Sequence, residues 1–122
     1  MNDVNAAIGL TNLNVADWIL CEHRANAAYY DKNLKLGIKQ EVIFNSDPSY
    51  WLYTLQVNNA NDFNRKMKEH GIHCNHVHER NDRYTCVKEF RSCLPTLDSL
   101  ENKITCIPVG WWVTYSIVTG KQ

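Results

Sequence analysis

The sequence predicts an α+β fold, in which one long N-terminal helix and shorter helices flank a small, largely antiparallel β-sheet. Apolar and small residues recur at three- and four-residue steps through the first 34 positions, which is the spacing of one helix face. A run rich in aromatic and β-branched residues follows at positions 50–57, and shorter helix and strand patterns alternate after it. Helices mixed with a few short strands favour a layer of helices packed on one sheet.

A long amphipathic helix is expected at the N-terminus. Asn2 or Asp3 can cap its first turn with a side-chain oxygen, and Lys32 and Lys35 suit the negative pole of the helix dipole at its end. Gly37 then offers a stop. The apolar and small positions that define the helix face expected to be buried are Ala6, Leu10, Leu13, Ala16, Leu20, Ala27, Tyr30 and Leu34.

The run Tyr50–Val57 predicts a β-strand, because its aromatic and β-branched residues suit a pleated surface. A shorter strand is expected before it at Glu41–Phe44, with a turn at 45–49 between the two. The strand residues predicted to share one face are Trp51, Tyr53, Leu55 and Val57. The large aromatic residues expected in the core are Trp18, Trp51, Tyr53 and Phe63.

Shorter elements are expected in the second half of the chain. A helix is predicted at Asp62–Glu69, and Gly71 is expected to end it. A strand at Ile72–Val77 and a polar, irregular loop at 79–95 are expected to follow. A short helix within residues 97–102 and a last strand at Ile104–Ile107 complete the predicted order.

Composition excludes several classes of protein. A chain of 122 residues with 44% hydrophobic content is long enough for one domain. Thirteen basic residues balance thirteen acidic ones, so no overall field exists to attract nucleic acid or an anionic membrane. No apolar run approaches the roughly 20 residues of a membrane-spanning helix. Five cysteines without a CxxC pair predict reduced thiols, so a cytoplasmic protein is expected.

A series of motifs resembles the C-terminal domain of one enzyme family. The positions that carry the resemblance are Met1–Asp3, Ala6–Leu10, Arg24, Ala28, Tyr29 or Tyr30, Ser49–Tyr53, Phe63, Gly71–Ile72, Val77–Asp82, Leu94–Leu97 and Ile107–Gly110. In order and spacing they resemble the DegT/StrS family of pyridoxal-phosphate-dependent (fold type I) nucleotide-sugar aminotransferases. The resemblance covers nearly all of residues 1–114.

The resemblance implies one domain over residues 1–122, equivalent to the small C-terminal domain of such an enzyme. A long helix over 1–36 would connect it to the larger cofactor-binding domain, and a body of sheet and helices would span 40–112. The tail at 113–122 is β-rich and departs from the acidic terminal helix usual in the family. Domains of this kind close the substrate side of the active-site cleft and contribute contacts to a homodimer.

Complete enzymes of this family transfer an amino group to a keto group on a nucleotide-linked sugar. Their pyridoxal phosphate is bound by a lysine that precedes the position of Met1, and no lysine of this chain lies in that motif. The resemblance therefore implies no catalytic and no cofactor-binding residue here, and no stable binding of pyridoxal phosphate to this chain alone. Transaminase activity is expected only together with a missing N-terminal domain.

The loop from His76 to Tyr84 is expected, by the same resemblance, to face the sugar or the nucleotide. Arg80 and Arg83 would bind a phosphate group of that substrate, since a planar guanidinium matches phosphate oxygens with paired hydrogen bonds. The substrate-binding residues that the resemblance implies are His76, His78, Arg80, Asn81, Arg83 and Tyr84.

Two alternative functions stay open. The first is a non-catalytic interaction module. The apolar face of the long helix would need a protein partner to cover it, either a second copy of the chain in a dimer or a separate N-terminal half. A metal- or thiol-dependent module is the second alternative. Its possible ligands fall within nine residues and are His70, His73, Cys74, His76 and His78. Their spacing matches no standard zinc pattern, so no metal site is expected.

Two further features each allow a functional and a structural interpretation. Trp111 and Trp112 either form a stacking platform for a base or sugar ring or pack under the long helix. Asp82, flanked by Asn81 and Arg83, is expected to form a salt bridge within the loop rather than to act as an acid or base.

Overall fold

The structure, a computed structural model, describes residues 2–35, 38–39 and 46–113. Its α-helices are α1 (Asp3–Asn33), α2 (Ala60–Glu69) and α3 (Pro95–Leu100), and its strands are β1 (Ile38–Lys39), β2 (Tyr53–Gln56) and β3 (Ile104–Ile107). Two 3-10 helices, Asn81–Arg83 and Thr85–Phe90, lie between α2 and α3 in the sequence. The predicted α+β class is confirmed. Among the described residues, no helix is both long and apolar enough to cross a lipid bilayer.

Helix α1 begins and ends close to where the sequence predicts. The Asn2 side chain accepts a hydrogen bond from the Asn5 N–H at 2.9 Å, which satisfies a first-turn donor and confirms the predicted cap. At the other end the backbone becomes extended at Leu34, whose N–H donates to the Tyr30 carbonyl at 2.9 Å. Gly37, the predicted stop, lies outside the described residues.

The apolar face of α1 is buried only towards its C-terminus. Ala27 and Tyr30 are buried as predicted, whereas Leu10 and Leu13 are each 67% exposed. The prediction of one continuous buried face is therefore wrong for the N-terminal half. Periodicity reports which residues share a helix face, but it does not report whether the same chain covers that face.

Strand β2 is shorter than predicted. Tyr53 and Leu55 are buried, so the predicted alternation holds from Tyr53 onwards. Trp51 is 73% exposed, and the prediction that it lies in the core is wrong. Trp51 and Leu52 lie in a bend that follows Tyr50, whose φ is 50°, so the strand alternation begins only at Tyr53. Trp18 of α1 is also exposed, so its predicted place in the core is wrong as well.

Helix α2 and the turn after it follow the predicted pattern. The Asn59 side chain accepts from the Asp62 N–H at 3.0 Å and caps the first turn. After Glu69 the chain reverses at Gly71, whose φ of 76° is a conformation that residues with a side chain rarely adopt. The prediction that Gly71 ends this helix is confirmed. Phe63 is half-buried on α2.

The strand predicted at 72–77 is wrong. The segment forms only an isolated antiparallel bridge, in which Asn75 pairs with Cys106. The Asn75 side-chain oxygen also accepts from the His76 N–H at 2.8 Å, and such a local bond competes with a continuous strand ladder. The strand predicted at 41–44 and the tail at 114–122 lie outside the described residues.

The chain divides into two compact units, and the single domain inferred over 1–122 stays a prediction. The first unit contains described residues 2–34, 46–53 and 109–113. One side chain of α1 links two of these segments, since Asn26 Nδ2 lies 3.3, 3.0 and 3.2 Å from the carbonyl oxygens of Val109, Gly110 and Val113. The buried residues of this unit are Ala27, Tyr30, Tyr53, Val109, Gly110 and Val113.

The middle segment of the first unit is joined to α1 by polar contacts. The Arg24 guanidinium pairs with the Asp47 carboxylate at 2.8 Å. The Tyr53 hydroxyl donates to the Asp31 carboxylate at 2.5 Å, and the ring of Tyr53 meets the ring of Tyr30 edge to face with centroids 5.1 Å apart. Burial and the neighbouring Asp31 raise the pKa of Tyr53, so this hydroxyl keeps its proton as the donor.

The second unit contains described residues 35, 38–39 and 54–108 and holds the sheet except for Tyr53, the first residue of β2; the strand order is β1-β2-β3. β1 runs antiparallel to β2, with Lys39 opposite Leu55. Thr105 of β3 is fully buried, and its hydroxyl donates to the side-chain oxygen of Asn64 in α2 at 2.6 Å. This bond satisfies a polar group in the core and fixes α2 against β3.

Candidate functional site

The stretch predicted to face the substrate lies in the second unit, between α2 and α3. The prediction of an irregular loop at 79–95 is wrong in detail, because most of residues 81–90 lie in the two 3-10 helices. The turns are closed by backbone bonds, among them Tyr84 N–H to the Asn81 carbonyl at 3.3 Å and Val87 N–H to the Tyr84 carbonyl at 3.2 Å. We call residues 79–91 the arginine loop, after Arg80, Arg83 and Arg91.

Arg80 is the centre of this loop. Its Nε and Nη2 atoms donate to the two carboxylate oxygens of Asp82 at 2.8 and 2.6 Å, which is the paired geometry that a guanidinium prefers. Its Nη1 atom donates to Asp98 of α3 and lies 3.6 Å from Oε2 of Glu101. The Arg80 side chain is only 13% exposed. Arg80 therefore ties the start of the loop to α3.

Arg83 and Arg91 make fewer contacts with carboxylates. Arg83 donates from Nη2 to Oε1 of Glu101, and its side chain is 58% exposed. Arg91 donates from its guanidinium to the backbone carbonyls of Asp82 and Arg83. Arg91 thus closes the loop on itself, and Arg83 presents the more accessible guanidinium of the two that bind Glu101.

The ion pairs shift the pKa values of Arg80 and Asp82 in the directions that keep both side chains charged. Arg80 holds the pKa of the Asp82 carboxyl below its usual range, mainly through the two side-chain hydrogen bonds. The carboxylates of Asp82 and Asp98 raise the pKa of Arg80 in turn. Asp82 is therefore a poor proton donor or acceptor near neutral pH, and its predicted salt bridge is present. Its partner is Arg80 rather than the adjacent Arg83.

Two cavities lie beside these residues. The first has a volume of about 210 Å³, and its lining residues are Ala60, Asn61, His76, Glu79, Arg80, Arg83, Glu101 and Asn102. The second, of about 380 Å³, is lined by Arg80, Asp82, Arg83, Arg91, Ser92 and Glu101. Arg80, Arg83 and Glu101 border both. We call the first the Arg83 cavity.

The structure brings three of the six predicted substrate-binding residues together. His76, Arg80 and Arg83 line the Arg83 cavity. The ring Nε2 of His76 lies 2.8 Å from the His78 carbonyl oxygen, a distance that fits donation by the ring N–H. Asn81 and Tyr84 lie on the exposed side of the arginine loop and do not line this cavity. Their role in substrate binding stays a prediction.

The histidine and cysteine cluster does not converge. Among the described residues, no group of three or more His, Cys, Asp or Glu side chains could hold a metal ion. Burial raises the pKa of the Cys74 thiol to about 11, so it is protonated at neutral pH and is a weak nucleophile. The geometry favours neither a metal centre nor a thiol-dependent site at this cluster.

The two tryptophans near residue 110 lie in the first unit. Trp111 packs against Trp18 of α1 with ring centroids 5.8 Å apart, and Trp112 meets the ring of His23 edge to face at 6.2 Å. Both tryptophans are also about half exposed. A Cβ atom at Gly110 would lie 2.3 Å from the Trp112 ring, so glycine is the residue that admits this packing. Trp111 and Trp112 therefore contact α1, and each also leaves about half of its side chain exposed to solvent.

Sequence reasoning missed the acidic partners of the arginines. Asp98 and Glu101 are three residues apart at the end of α3, and this spacing puts two helical side chains on one face. This spacing in the sequence indicates two carboxylates on one side of the helix. The partners themselves lie 18 residues from Arg80 and Arg83 in the sequence, so only the fold identifies the pairing.

Comparison with known proteins identifies the chain. Residues 1–114 match the sequence profile of the DegT/DnrJ/EryC1/StrS aminotransferase family. The sugar aminotransferase CalS13 from Micromonospora echinospora is 36% identical with a TM-score of 0.91, over 98% of this chain and 33% of CalS13. AtS13 from Actinomadura melliaura is 40% identical with a TM-score of 0.84, over 98% of this chain and 34% of AtS13.

A more distant structure shares the fold. Spr1654 from Streptococcus pneumoniae, solved in a PLP-form, is 18% identical with a TM-score of 0.81, over 99% of this chain and 35% of that protein. No curated protein sequence matches the chain. The chain spans about a third of the length of these solved proteins. It belongs to the DegT/DnrJ/EryC1/StrS aminotransferase family.

Proposed function

We propose that this chain forms the C-terminal part of a pyridoxal-phosphate-dependent aminotransferase that acts on a nucleotide-linked keto sugar. The observation that carries the proposal is the similarity to CalS13, a sugar aminotransferase, over 98% of this chain at 36% identity. The chain matches only about a third of CalS13, so the cofactor-binding part of the complete enzyme would lie in polypeptide outside this match.

In this proposal the arginine loop forms part of the substrate side of the cleft. Arg83 is the best-placed phosphate partner, because its guanidinium is more than half exposed and borders two cavities. Arg80 has the different task of holding the loop, since Asp82 and Asp98 already engage its donors. His76 lines the same cavity and would also contact the substrate there.

The residues described here do not fit pyridoxal phosphate by themselves. That cofactor needs a lysine amine in an enclosed site with donors for its phosphate. Neither cavity beside the arginine loop is lined by a lysine. Lys66, on α2, pairs with Asp62 at 2.9 Å on an exposed helix face. We therefore assign the chain no step that passes through the cofactor, and expect it to be inactive alone.

A chimera tests this function. Replacing the matching third of CalS13 by the present chain is expected to give a protein that binds pyridoxal phosphate and retains sugar aminotransferase activity. The isolated chain, mixed with pyridoxal phosphate, reduced with borohydride and weighed by mass spectrometry, is expected to show no stoichiometric adduct on one lysine. A folded, cofactor-loaded chimera without turnover, or a single-site adduct on the isolated chain, would contradict the proposal.

A second candidate function is supported by the N-terminal half of α1. This helix presents large apolar side chains to solvent on two faces, with Val4, Ile8, Val15 and Trp18 on one and Leu10 and Leu13 on the other. A surface of this kind is typical of a contact with another protein. The alternative proposal is a non-catalytic module that dimerises through this helix or covers it with a separate N-terminal half.

Substitutions on α1 test the dimer form of this alternative. The double variant Leu10→Glu/Leu13→Glu is expected to weaken self-association roughly tenfold or more, because each buried leucine contributes about 1.5–3 kcal/mol to an interface. The matched control is Asn5→Glu/Asn12→Glu, which adds the same charges at exposed polar positions of the same helix, on a face away from Leu10 and Leu13. Sedimentation velocity gives the dissociation constants. A wild-type chain that stays monomeric at high concentration would count against dimerisation.

A further inference from the structure

Glu101 places one carboxylate between two arginines at the Arg83 cavity. Its Oε1 atom accepts from Arg83, and its Oε2 atom lies 3.6 Å from Nη1 of Arg80. We infer that the Arg83 cavity is an anion site that the Glu101 carboxylate occupies in the unliganded protein, and from which a phosphate group of the substrate displaces it. This inference rests on the proposed function for the nature of the substrate.

Exchange of anions would take place at Arg83 and not at Arg80. Arg80 has a paired contact with Asp82 and a further bond to Asp98, and it is almost buried. Among the described residues Arg83 has one carboxylate partner, and its guanidinium is more than half exposed. Water screens a pair whose cation is this accessible, so the pair contributes little to stability and an incoming anion can compete with it.

The surroundings of the cavity suit a phosphate better than a second carboxylate. A phosphate group of the substrate carries one negative charge, as Glu101 does, but it offers more oxygens whose spacing matches the guanidinium donors. Ala60 and Asn61, in the first turn of α2, line the same cavity. The start of a helix carries a partial positive charge and favours phosphate there. A volume of about 210 Å³ is sufficient for one phosphate group.

Displacement of Glu101 would also loosen one contact between the arginine loop and α3. Arg80 would still hold Asp82 and Asp98, so the loop would keep its position while the Arg83 side chain moved to the ligand. Glu101 thereby excludes weaker anions, because an anion binds only if its contact with Arg83 is better than the internal one.

The cavity offers its own control residue. Glu79 lines the same cavity, and it forms no ion pair with any described residue. Replacing Glu79 by Gln removes the same charge from the cavity as replacing Glu101 but does not free Arg83. A comparison of the two variants therefore separates release of Arg83 from the general effect of one negative charge fewer.

The experiment is a titration of the isotope-labelled 122-residue chain with inorganic pyrophosphate, followed by NMR of the Arg83 guanidinium and the carboxyl carbons of both glutamates. Glu101→Gln is expected to bind roughly threefold to tenfold more tightly than the wild type, and Glu79→Gln less than about twofold more tightly. In the wild type, the Glu101 carboxyl signal should shift on binding while that of Glu79 stays nearly unchanged.

Equal gains in Glu79→Gln and Glu101→Gln would overturn the inference, as would undiminished binding by Arg83→Gln/Glu101→Gln. A wild-type titration in which the Arg83 signals move and the Glu101 carboxyl does not would also overturn it, and this measurement needs no variant that might misfold. The titration and the chimera test different statements. If the chimera is active and the titration is negative, only the inference of an anion site is refuted. If the chimera is inactive and the titration is positive, the proposed function is refuted.

Discussion

Replacing Leu55 by alanine is expected to lower the free energy of unfolding by about 2–5 kcal/mol, the usual cost of deleting a buried leucine side chain. Leu55 is 2% exposed in β2, and the backbone opposite is Lys39 of β1. Removing its side chain leaves a cavity on one face of the sheet, and the backbone pairing of β2 with β1 holds the strand in place, so relaxation can close the cavity only in part. Urea unfolding, followed by circular dichroism, measures the loss.

The matched control is the same substitution at Leu10, which the helix periodicity had equally assigned to the core. Leu10→Ala is expected to change the free energy of unfolding by less than about 0.5 kcal/mol at low protein concentration. Its side chain is largely exposed, and alanine is the better helix former. Equal losses of unfolding free energy in Leu55→Ala and Leu10→Ala would contradict the difference in burial between the two leucines. A Leu10→Ala loss that grows with protein concentration would instead indicate an interface on α1.

Asn26→Asp is the second variant with a large expected effect, about 2–3 kcal/mol of lost stability at neutral pH. The two side chains have the same shape, but aspartate replaces the NH2 group, which carries two N–H donors, by an acceptor oxygen. Asn26 now donates towards three carbonyl oxygens at 3.0–3.3 Å, and the variant would set a negative charge against all three. Thermal or urea unfolding measures the difference from the wild type.

The pH dependence of that variant provides an internal check. Below the pKa of the new carboxyl group, the side chain is neutral and regains one O–H donor, so part of the lost stability should return as the pH falls. Asn33→Asp is the matched control, because Asn33 donates to the single carbonyl of Tyr29 at 2.8 Å on an exposed part of α1. It should cost less than about 1 kcal/mol. Similar losses for both variants would show that the three-carbonyl contact is unimportant.

The sequence predicted correctly those helix and strand ends that depend only on residues close to them in the chain. The cap at Asn2, the stop at Gly71 and the strand Ile104–Ile107 all agree with the structure. Each depends on chemistry within a few residues, such as a side-chain oxygen that meets a free N–H or a glycine that admits a positive φ. The overall α+β class follows from the same local patterns.

Burial was less predictable, because it depends on what the rest of the chain covers. Trp51 shares an apparent strand face with Tyr53, but the bend at Trp51 and Leu52 separates them, and alternation gives no warning of it. Asn75 interrupts a predicted strand because its side chain bonds to the next backbone N–H. Both failures come from local conformations that compete with the regular ladder.

The candidate site was predictable in position but not in pairing. The family resemblance selects the stretch from His76 to Tyr84, and four of its residues, His76, Glu79, Arg80 and Arg83, line one cavity. The ion pairs that give Arg80 and Arg83 different tasks involve α3, and such long-range partners leave no periodic signal in one sequence. The apparent equivalence of the two arginines disappears once Asp98 and Glu101 are placed beside them.

The contact of Asn26 with residues 109–113 has a consequence for synthesis on the ribosome. The hydrogen-bond partners of this side chain follow it by 83 to 87 residues. At translation rates of about 5–20 residues per second, a nascent α1 therefore waits roughly 4–17 s for them. During that interval the α1 residues that contact 109–113 lack these partners, which gives chaperones that bind exposed apolar segments time to act on the newly made helix.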